Sequence, residues 1–327
     1  MNMGDVVRLK GCTLKGRSLE TSCGCSALDA LLGGGLAVST FCVVDELKSR
    51  AYSDSLARYF IAEGLYSGHD VLVVDPVGED KLWRGIPTKI EGQAASNSSE
   101  ASSIPSKMSN PHDDLRIAFR YAAKPQMNSS IGDKNRYDLG KPLADSEFSS
   151  QRLKYDGVYS YESLYRFIAN LCKSDRYSKT RGPTKNLLRI VIGHLGSPLW
   201  TDSPEFSTFL VRLRPLLRNT HVVVFATAAS ETMYEQLSDE LFATADLYIQ
   251  LVALSDEEQK KLSSLDKYHG YLRILRLPRL TSVGTYNPPA DLVFIQKRNS
   301  FDVSILHLPP ALGDEPQNAK APCNVDF

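Results

Sequence analysis

Residues 46–52 stand where a nucleotide-binding loop would lie, between an apolar run and a helical pattern. A phosphate loop of the form GxxxxGK[ST] needs glycines so that backbone N–H groups can reach phosphate oxygens, a lysine to neutralise charge, and a hydroxyl for magnesium. The segment here reads ELKSRAY and contains no glycine, and the nearby Asp54 would repel phosphate. We therefore expect no nucleotide to be bound by the residues of this degenerate loop, Glu46, Lys48, Ser49 and Ser53.

A later apolar run, residues 188–192, ends in Gly193 and His194. In a phosphate-loop enzyme a carboxylate that supports magnesium ends such a strand, and Gly193 takes its place here. His194 could transfer a proton, but the sequence shows no partner nucleophile, so we interpret it as structural. Asp45 and Glu46 could bind a cation, although carboxylates without phosphate-loop glycines indicate this only weakly.

Two local clusters of basic residues could contact a phosphate backbone. Residues 173–186, KSDRYSKTRGPTKN, hold five basic residues and one acid, with Tyr177 between them. Residues 267–279 hold four basic residues and no acid. The alternative is a solvated surface on a neutral protein.

The composition is that of a globular protein. The 327 residues include 38 Lys and Arg and 38 Asp and Glu, and 42% are hydrophobic, which excludes a wholly disordered chain and a globally basic nucleic-acid binder. The six scattered cysteines form no C-x-x-C pair, so we expect reduced thiols and no metal. No apolar run could span a membrane, and residues 1–10 lack a secretory pattern, so we expect a cytoplasmic and nuclear protein.

The apolar periodicity predicts alternating strands and helices, hence an α/β fold with a mainly parallel central sheet flanked by helices. Strands are predicted at 41–45, 71–75, 115–121, 188–192, 221–226, 246–252 and 271–277, and residues 291–297 and 301–308 are predicted to form a C-terminal antiparallel hairpin. Helices are predicted at 26–32, 53–66, 161–171, from 203 to about Pro215, and near 231–243. The glycines at 33–35 end the first, Ser53 is predicted to cap the second, and Pro215 is predicted to kink or end the fourth.

One large domain is expected over residues 21–310. A mobile arm, 1–20, would precede it and a tail, 311–327, would follow it. The serine-rich stretch at about 91–114 is predicted to be a disordered insertion, and about 124–156 an irregular loop.

Several segments carry a family resemblance. SALDALLGGGLAVST, followed by a strand, resembles the opening of RecA- and KaiC-like ATPase domains. A closer resemblance, over nearly the whole chain, is to the family of subunit 4 of the Elongator complex. It is carried by ALDALLGGGL at 27–36, RYFIAEGLYSGHDVLVV at 58–74, LRIAFRY at 115–121, YDLGKP at 137–142, LRIVIGHLGSPLW at 188–200, YHGYLRILRLPRL at 268–280, ILHLPP at 305–310 and the terminal VDF.

The resemblance implies a RecA-like domain without an intact phosphate loop, and therefore a non-catalytic subunit. It further implies a hetero-hexameric ring with Elongator subunits 5 and 6, association with the remaining subunits, binding of tRNA, and support of wobble uridine modification. No cofactor is implied for this chain, although ATP could bind at subunit interfaces of the ring. The candidates for contact with tRNA or with a neighbouring subunit are then Arg176, Lys179, Arg181, Lys185, Arg273 and Arg276.

Two alternatives remain from the residues alone. The same fold could be an active RecA- or KaiC-like ATPase motor, against which the missing glycines argue. It could also be an adaptor for another assembly, because fold does not determine function.

Overall fold

The computed structural model describes residues 9–16, 18–49, 52–90, 131, 135–144, 146–181, 185–261, 265–278, 289 and 291–306. The strands are β1 (Cys12–Lys15), β2 (Ser18–Thr21), β3 (Leu36–Ala37), β4 (Phe41–Leu47), β5 (Asp70–Val74), β6 (Pro87–Lys89), β7 (Tyr137–Pro142), β8 (Arg152–Leu153), β9 (Leu188–Leu195), β10 (Val222–Ala228), β11 (Leu247–Ala253), β12 (Gly270–Arg276), β13 (Leu292–Gln296) and β14 (Phe301–Ile305). The α-helices are α1 (Ser26–Leu31), α2 (Ser53–Tyr66), α3 (Glu79–Trp83), α4 (Tyr161–Cys172), α5 (Phe206–Arg218), α6 (Glu235–Thr244) and α7 (Asp256–Lys261).

A nine-stranded sheet forms the centre of the described part, in the order β8-β5-β9-β10-β4-β11-β12-β13-β14. The six strands from β8 to β11 pair in parallel, and β12, β13 and β14 add in antiparallel. The predicted α/β class with a C-terminal hairpin is thereby confirmed, and the arrangement is consistent with a RecA-like domain.

Each face of the sheet carries its own hydrophobic core. Along β4, Cys42 and Val44 pack with α1 and α2 on one face, whereas Phe41 and Val43 pack with α4, α5 and α6 on the other. Successive side chains of a strand point to opposite faces, so a strand covered on both faces is continuously apolar. This explains why the central strands were predictable from unbroken apolar runs.

Part of the mobile arm predicted for residues 1–20 forms strands, while residues 1–8 lie outside the described part of the chain. Strands β1 and β2 form an antiparallel hairpin, and β3 pairs with β2. Arg189, which is fully buried in β9, donates from Nη2 to Thr21 Oγ1 at 2.7 Å and to the Ser22 carbonyl at 2.9 Å. A buried guanidinium needs acceptors, and the end of the hairpin supplies them. The prediction is therefore wrong for the two strands.

The segment predicted to be irregular, 124–156, contains β7 and β8. Strand β7 pairs with β6, and Tyr137 at its start donates a hydrogen bond to Glu63 on α2 at 2.8 Å. Helix α5 also differs from expectation, because it continues through Pro215 to Arg218. The proposed insertion at 91–114, the predicted strand at 115–121 and the tail at 311–327 lie outside the described residues. Among the described helices, none is long and apolar enough to cross a bilayer.

Candidate functional site

The parallel strands β4, β5, β9 and β10 end at one edge of the sheet, which we call the carboxyl edge. In open α/β sheets ligands bind in the crevice outside these strand ends. The residues there include Glu46 in β4, Asp75 after β5, His194 in β9 and Thr227 in β10. Any nucleotide of a RecA-like domain would be sought at this edge.

The carboxylate of Glu46 occupies the N-terminus of α2. Its Oε1 accepts the backbone N–H of Tyr52 at 3.0 Å, and its Oε2 accepts that of Ser53 at 2.9 Å. Backbone N–H groups at a helix start attract anions and often hold phosphate, and here the chain's own carboxylate has taken that position. The prediction that Ser53 caps this helix is wrong. Tyr52 is the N-cap residue, and its side chain makes no capping hydrogen bond.

Lys48 does not face this helix start. Its backbone is left-handed with φ of 61°, and its N–H donates to Glu231 Oε2 at 3.0 Å. Its ammonium lies 3.4 Å from Glu258 at the start of α7. The lysine of the segment that resembles a phosphate loop is therefore directed toward α7.

Asp75, directly after β5, and His194, in the neighbouring strand β9, form a pair. His194 Nδ1 lies 2.9 Å from Asp75 Oδ1, which also accepts the backbone N–H of Val77 at 3.0 Å. The hydrogen bond that His194 donates to the Asp75 carboxylate raises the pKa of His194. Sequence reasoning missed Asp75 as a site residue, although it was visible as the acid that ends the second predicted strand.

His194 is held in an unusual conformation, with φ of 52°. Its N–H donates to Thr227 Oγ1 at 3.1 Å, and its carbonyl accepts from the indole of Trp200 at 3.0 Å. A non-glycine residue with positive φ is strained and persists only where its surroundings fix it. The ring is therefore well positioned, and the structure gives the lone histidine of the sequence a carboxylate partner.

The cavity at this edge is small. It is lined by Glu46, Ser53, His194, Leu195, Ser197, Thr227, Ala228, Ala229 and Thr232, and its solvent-accessible volume is about 20 Å³. That is room for about one water molecule. That this loop binds no nucleotide stays a prediction, which a binding measurement must test.

Asp45, near the end of β4, is fully buried and accepts hydrogen bonds from the loop after β10. It accepts the backbone N–H and the hydroxyl of Ser230, both at 2.7 Å, and the amide of Gln250 at 3.3 Å. Its lone pairs are thus used by donors within the chain. Among the described residues there is no group of three or more His, Cys, Asp or Glu that could hold a metal ion.

The described residues of the basic loop, 173–181 and 185–186, lie at the opposite, amino edge of the sheet. Arg176 makes two bonds to Asp70 at the start of β5, at 2.6 and 2.9 Å. Lys179 donates to the carbonyl of Arg218 at 2.8 Å and so caps the end of α5. These cations hold the loop and the helix in place.

The remaining candidates divide between bonded and exposed side chains. Lys185 donates to loop carbonyls, including those of Ser178 and Arg181. Arg276 donates to the carbonyls of Phe242 and Ala243, both at 2.7 Å, at the end of α6. Two further candidates are exposed, Arg181 and Arg273. Among the residues that the structure describes, these two have no hydrogen bond or ion pair through their side chains.

The described cysteines give no sign of redox or metal chemistry. All five described cysteines are free thiols, and Cys23 and Cys25 are buried. Burial raises the pKa of Cys23 well above its usual value and that of Cys25 to about 12. The thiolate is the reactive form, so these two thiols are inert near neutral pH.

Comparison with known proteins identifies the family. A family model described as "PAXNEB protein" matches residues 10–325. Elongator complex protein 4 of Danio rerio is 31% identical over 334 residues, covering 90% of this chain and 83% of that protein. The proteins of the same name from Mus musculus and Homo sapiens are 29% and 28% identical, covering 92% of this chain and 80% of each relative. The chain therefore belongs to the PAXNEB protein family, and these three relatives bear the name Elongator complex protein 4.

Proposed function

We propose that this chain is a non-catalytic RecA-like subunit of the Elongator complex. In this proposal it joins subunits 5 and 6 in a hexameric ring that binds tRNA and supports wobble uridine modification in the cytoplasm and nucleus. The names of its relatives support membership of Elongator. The observation that carries the non-catalytic part is the carboxylate of Glu46 on the N–H groups of Tyr52 and Ser53.

That arrangement disfavours an ATPase for an electrostatic reason. A phosphate brought to the start of α2 would have to displace a buried carboxylate that makes two charge-assisted hydrogen bonds. It would also meet Asp54 in the first helical turn. Lys48, the one lysine of the loop, is engaged with Glu258. Any ATP in the assembly would then be bound mainly by other subunits.

The amino edge favours contact with tRNA. The basic loop lies at the start of β5 and β9, and Arg276 lies opposite Tyr248 at the start of β11. Four strand spacings separate β9 from β12, which is roughly 19 Å. Basic residues spread over such a distance on one edge could follow a stretch of phosphate backbone.

The first experiment is mass spectrometry of tRNA nucleosides from cells depleted of this protein. Loss of carboxymethyl-type wobble uridines, restored by the wild-type chain, is the expected result. Unchanged nucleosides would contradict a role in Elongator.

The second experiment measures tRNA affinity of the assembled ring against salt concentration. Arg181→Glu and Arg273→Glu are the suitable variants, because both side chains are exposed. Each should weaken binding and reduce the salt slope by about 1 for every phosphate that is no longer neutralised. Arg166→Glu is the control, since Arg166 is exposed on α4 and pairs with Glu162. Wild-type affinity of the Arg181 and Arg273 variants would show that these two side chains do not contact tRNA.

Binding of ATP by the isolated chain separates this proposal from an active motor. We expect none at micromolar concentration. Micromolar binding that Lys48→Ala abolishes would instead favour the motor.

A further inference from the structure

Three aliphatic side chains are exposed beside the site already described. Val77 is 52% exposed in the loop after β5, Val158 is 66% exposed before α4, and Leu199 is 51% exposed after β9. A single exposed aliphatic residue is ordinary. Several grouped together on one edge of a sheet indicate an interaction surface.

Contacts between the loops show that two of the three belong to one surface. The hydroxyl of Tyr155 donates to the carbonyl of Val158 at 2.6 Å. The ring of Tyr159 meets that of Trp200, the neighbour of Leu199, edge to face at 6.2 Å. The N–H of Thr201 donates to the carbonyl of Tyr159 at 3.0 Å. The loops before α4 and after β9 are therefore joined.

Val77 joins the same surface through its neighbours. Its N–H donates to Asp75, and Glu79 follows two residues later at the start of α3. Asp75 Oδ1, which accepts the Val77 N–H, also bonds His194 Nδ1 at 2.9 Å, and the carbonyl of His194 accepts from the indole of Trp200 at 3.0 Å. The loop after β5 is therefore joined to the loop that carries Leu199. We call Val77, Glu79, Val158, Tyr159 and Leu199 the Glu79 surface.

The carboxylate of Glu79 has no cation beside it in the part of the chain that the structure describes. Its Oε1 is buried and has no hydrogen-bond partner among those residues. The nearby cations are engaged elsewhere, because Lys81 pairs with Asp54 at 2.6 Å and Arg84 with Asp80 at 3.4 Å. Burial, Asp75 and Asp80 raise the pKa of Glu79 to about 7. A cation brought from outside would relieve this cost.

We propose that the Glu79 surface docks a partner protein that places a lysine or arginine beside Glu79 and apolar side chains on Val77, Val158 and Leu199. Nucleic acid does not fit, because its phosphates would face the carboxylates of Glu79 and Asp75. A wholly apolar partner does not fit either, because it would bury the Glu79 carboxylate without compensation. The inference rests on the proposed function in one respect: the partner is sought in Elongator subunits 5 and 6.

The test measures association of the full-length chain with co-expressed subunits 5 and 6. Leu199→Ser and Glu79→Lys should each weaken association at least ~10-fold, as expected for a central interface residue. Leu14→Ser is the matched control for the first variant, because Leu14 is 52% exposed on β1 of the N-terminal hairpin. Glu147→Lys is the control for the second, since Glu147 is exposed in a cleft with Tyr66 at the far end of α2. Both controls should stay within about 2-fold of wild type.

Thermal unfolding of each variant distinguishes impaired docking from impaired folding, and a folded Leu199→Ser chain is required for the comparison. If that chain does not fold, Leu199→Gln and Glu79→Gln replace the first pair, and Glu79→Gln alone removes the charge without changing shape. If the wild-type chain associates with subunits 5 and 6 and both surface variants associate equally well, this inference is overturned and the proposed function stands. Failure of the wild-type chain itself to associate with subunits 5 and 6 overturns both.

Discussion

Asp75, directly after β5, lies so close to Gly193 in the neighbouring parallel strand β9 that a Cβ at Gly193 would come within 2.5 Å of the Asp75 carboxyl carbon. The sequence suggested that a carboxylate was missing from the end of β9. The structure shows that the carboxylate is supplied from the end of β5 and fills the space that Gly193 leaves. Asp75 can bond His194 because residue 193 has no side chain.

Gly193→Ala should therefore destabilise the fold by about 1–3 kcal/mol, as overpacking of a filled site does. Urea unfolding of the variant measures this change in the free energy of unfolding. In an Asp75→Ala background the same substitution should cost less, because the clashing carboxylate is gone. An equal cost in both backgrounds would contradict the packing argument.

Glu46→Ala should cost about 1–3 kcal/mol, because it leaves two backbone N–H groups at the start of α2 without their acceptor. Ser53→Ala is the matched control and should change the free energy of unfolding by less than about 0.5 kcal/mol, since the Ser53 side chain does not cap the helix. Chemical denaturation checks both values. The reverse order of the two effects would restore Ser53 as the cap.

His194 should stabilise the folded state most at acidic pH. Its pKa is raised in the folded protein by Asp75, so its contribution is fully present below the unfolded value of 6.5 and is lost as pH rises through the folded value. The difference in unfolding free energy between wild type and His194→Gln should shrink accordingly. An NMR titration should give His194 a pKa above 6.5 that Asp75→Asn lowers, and an unchanged value in that variant would count against the pair.

Two buried histidines act in the opposite direction. Burial lowers the pKa of His69 to about 3 and that of His221 to about 4, so the folded state binds their protons at lower pH than the unfolded chain does. Stability should therefore fall as pH drops below about 6.5, until about pH 4 for His221 and about pH 3 for His69. The free energy of unfolding, measured between pH 7 and pH 4, tests for this loss.

The two histidines should respond differently to substitution. His69 accepts from Arg189 Nε at 3.0 Å, so His69→Leu should destabilise even at pH 7. The ring nitrogens of His221 have no partner among the described residues, so His221→Leu should mainly reduce the loss in acid. Equal acid sensitivity of His221→Leu and wild type would show that this ring does not contribute.

The sequence predicted the fold well because the central strands are buried on both faces and the helices are amphipathic. It missed the N-terminal hairpin, because the buried guanidinium of Arg189 that binds its end becomes apparent only when β9 is placed beneath it. Strand β7 was missed for a similar reason, since its short pairing with β6 follows from tertiary contacts.

The site was predicted less completely. Absence of a phosphate loop could be read from residues 46–52, but the partner of His194 depends on the register between β5 and β9. The clusters of basic residues were visible in the sequence, but the groups that each basic side chain bonds were not. Arg176 and Arg276 read as surface cations in the sequence, yet the structure bonds them to Asp70 and to the end of α6.

Glu46 is a ligand that the chain carries with it. A nucleotide at the start of α2 would come and go with its concentration, and the helix would respond to each exchange. A tethered carboxylate has a fixed, high effective concentration and never dissociates. If the proposed function holds, the position of α2 relative to β4 would not change with the ATP concentration of the cell, and this subunit would be a fixed frame against which nucleotide-driven movement of its neighbours takes place.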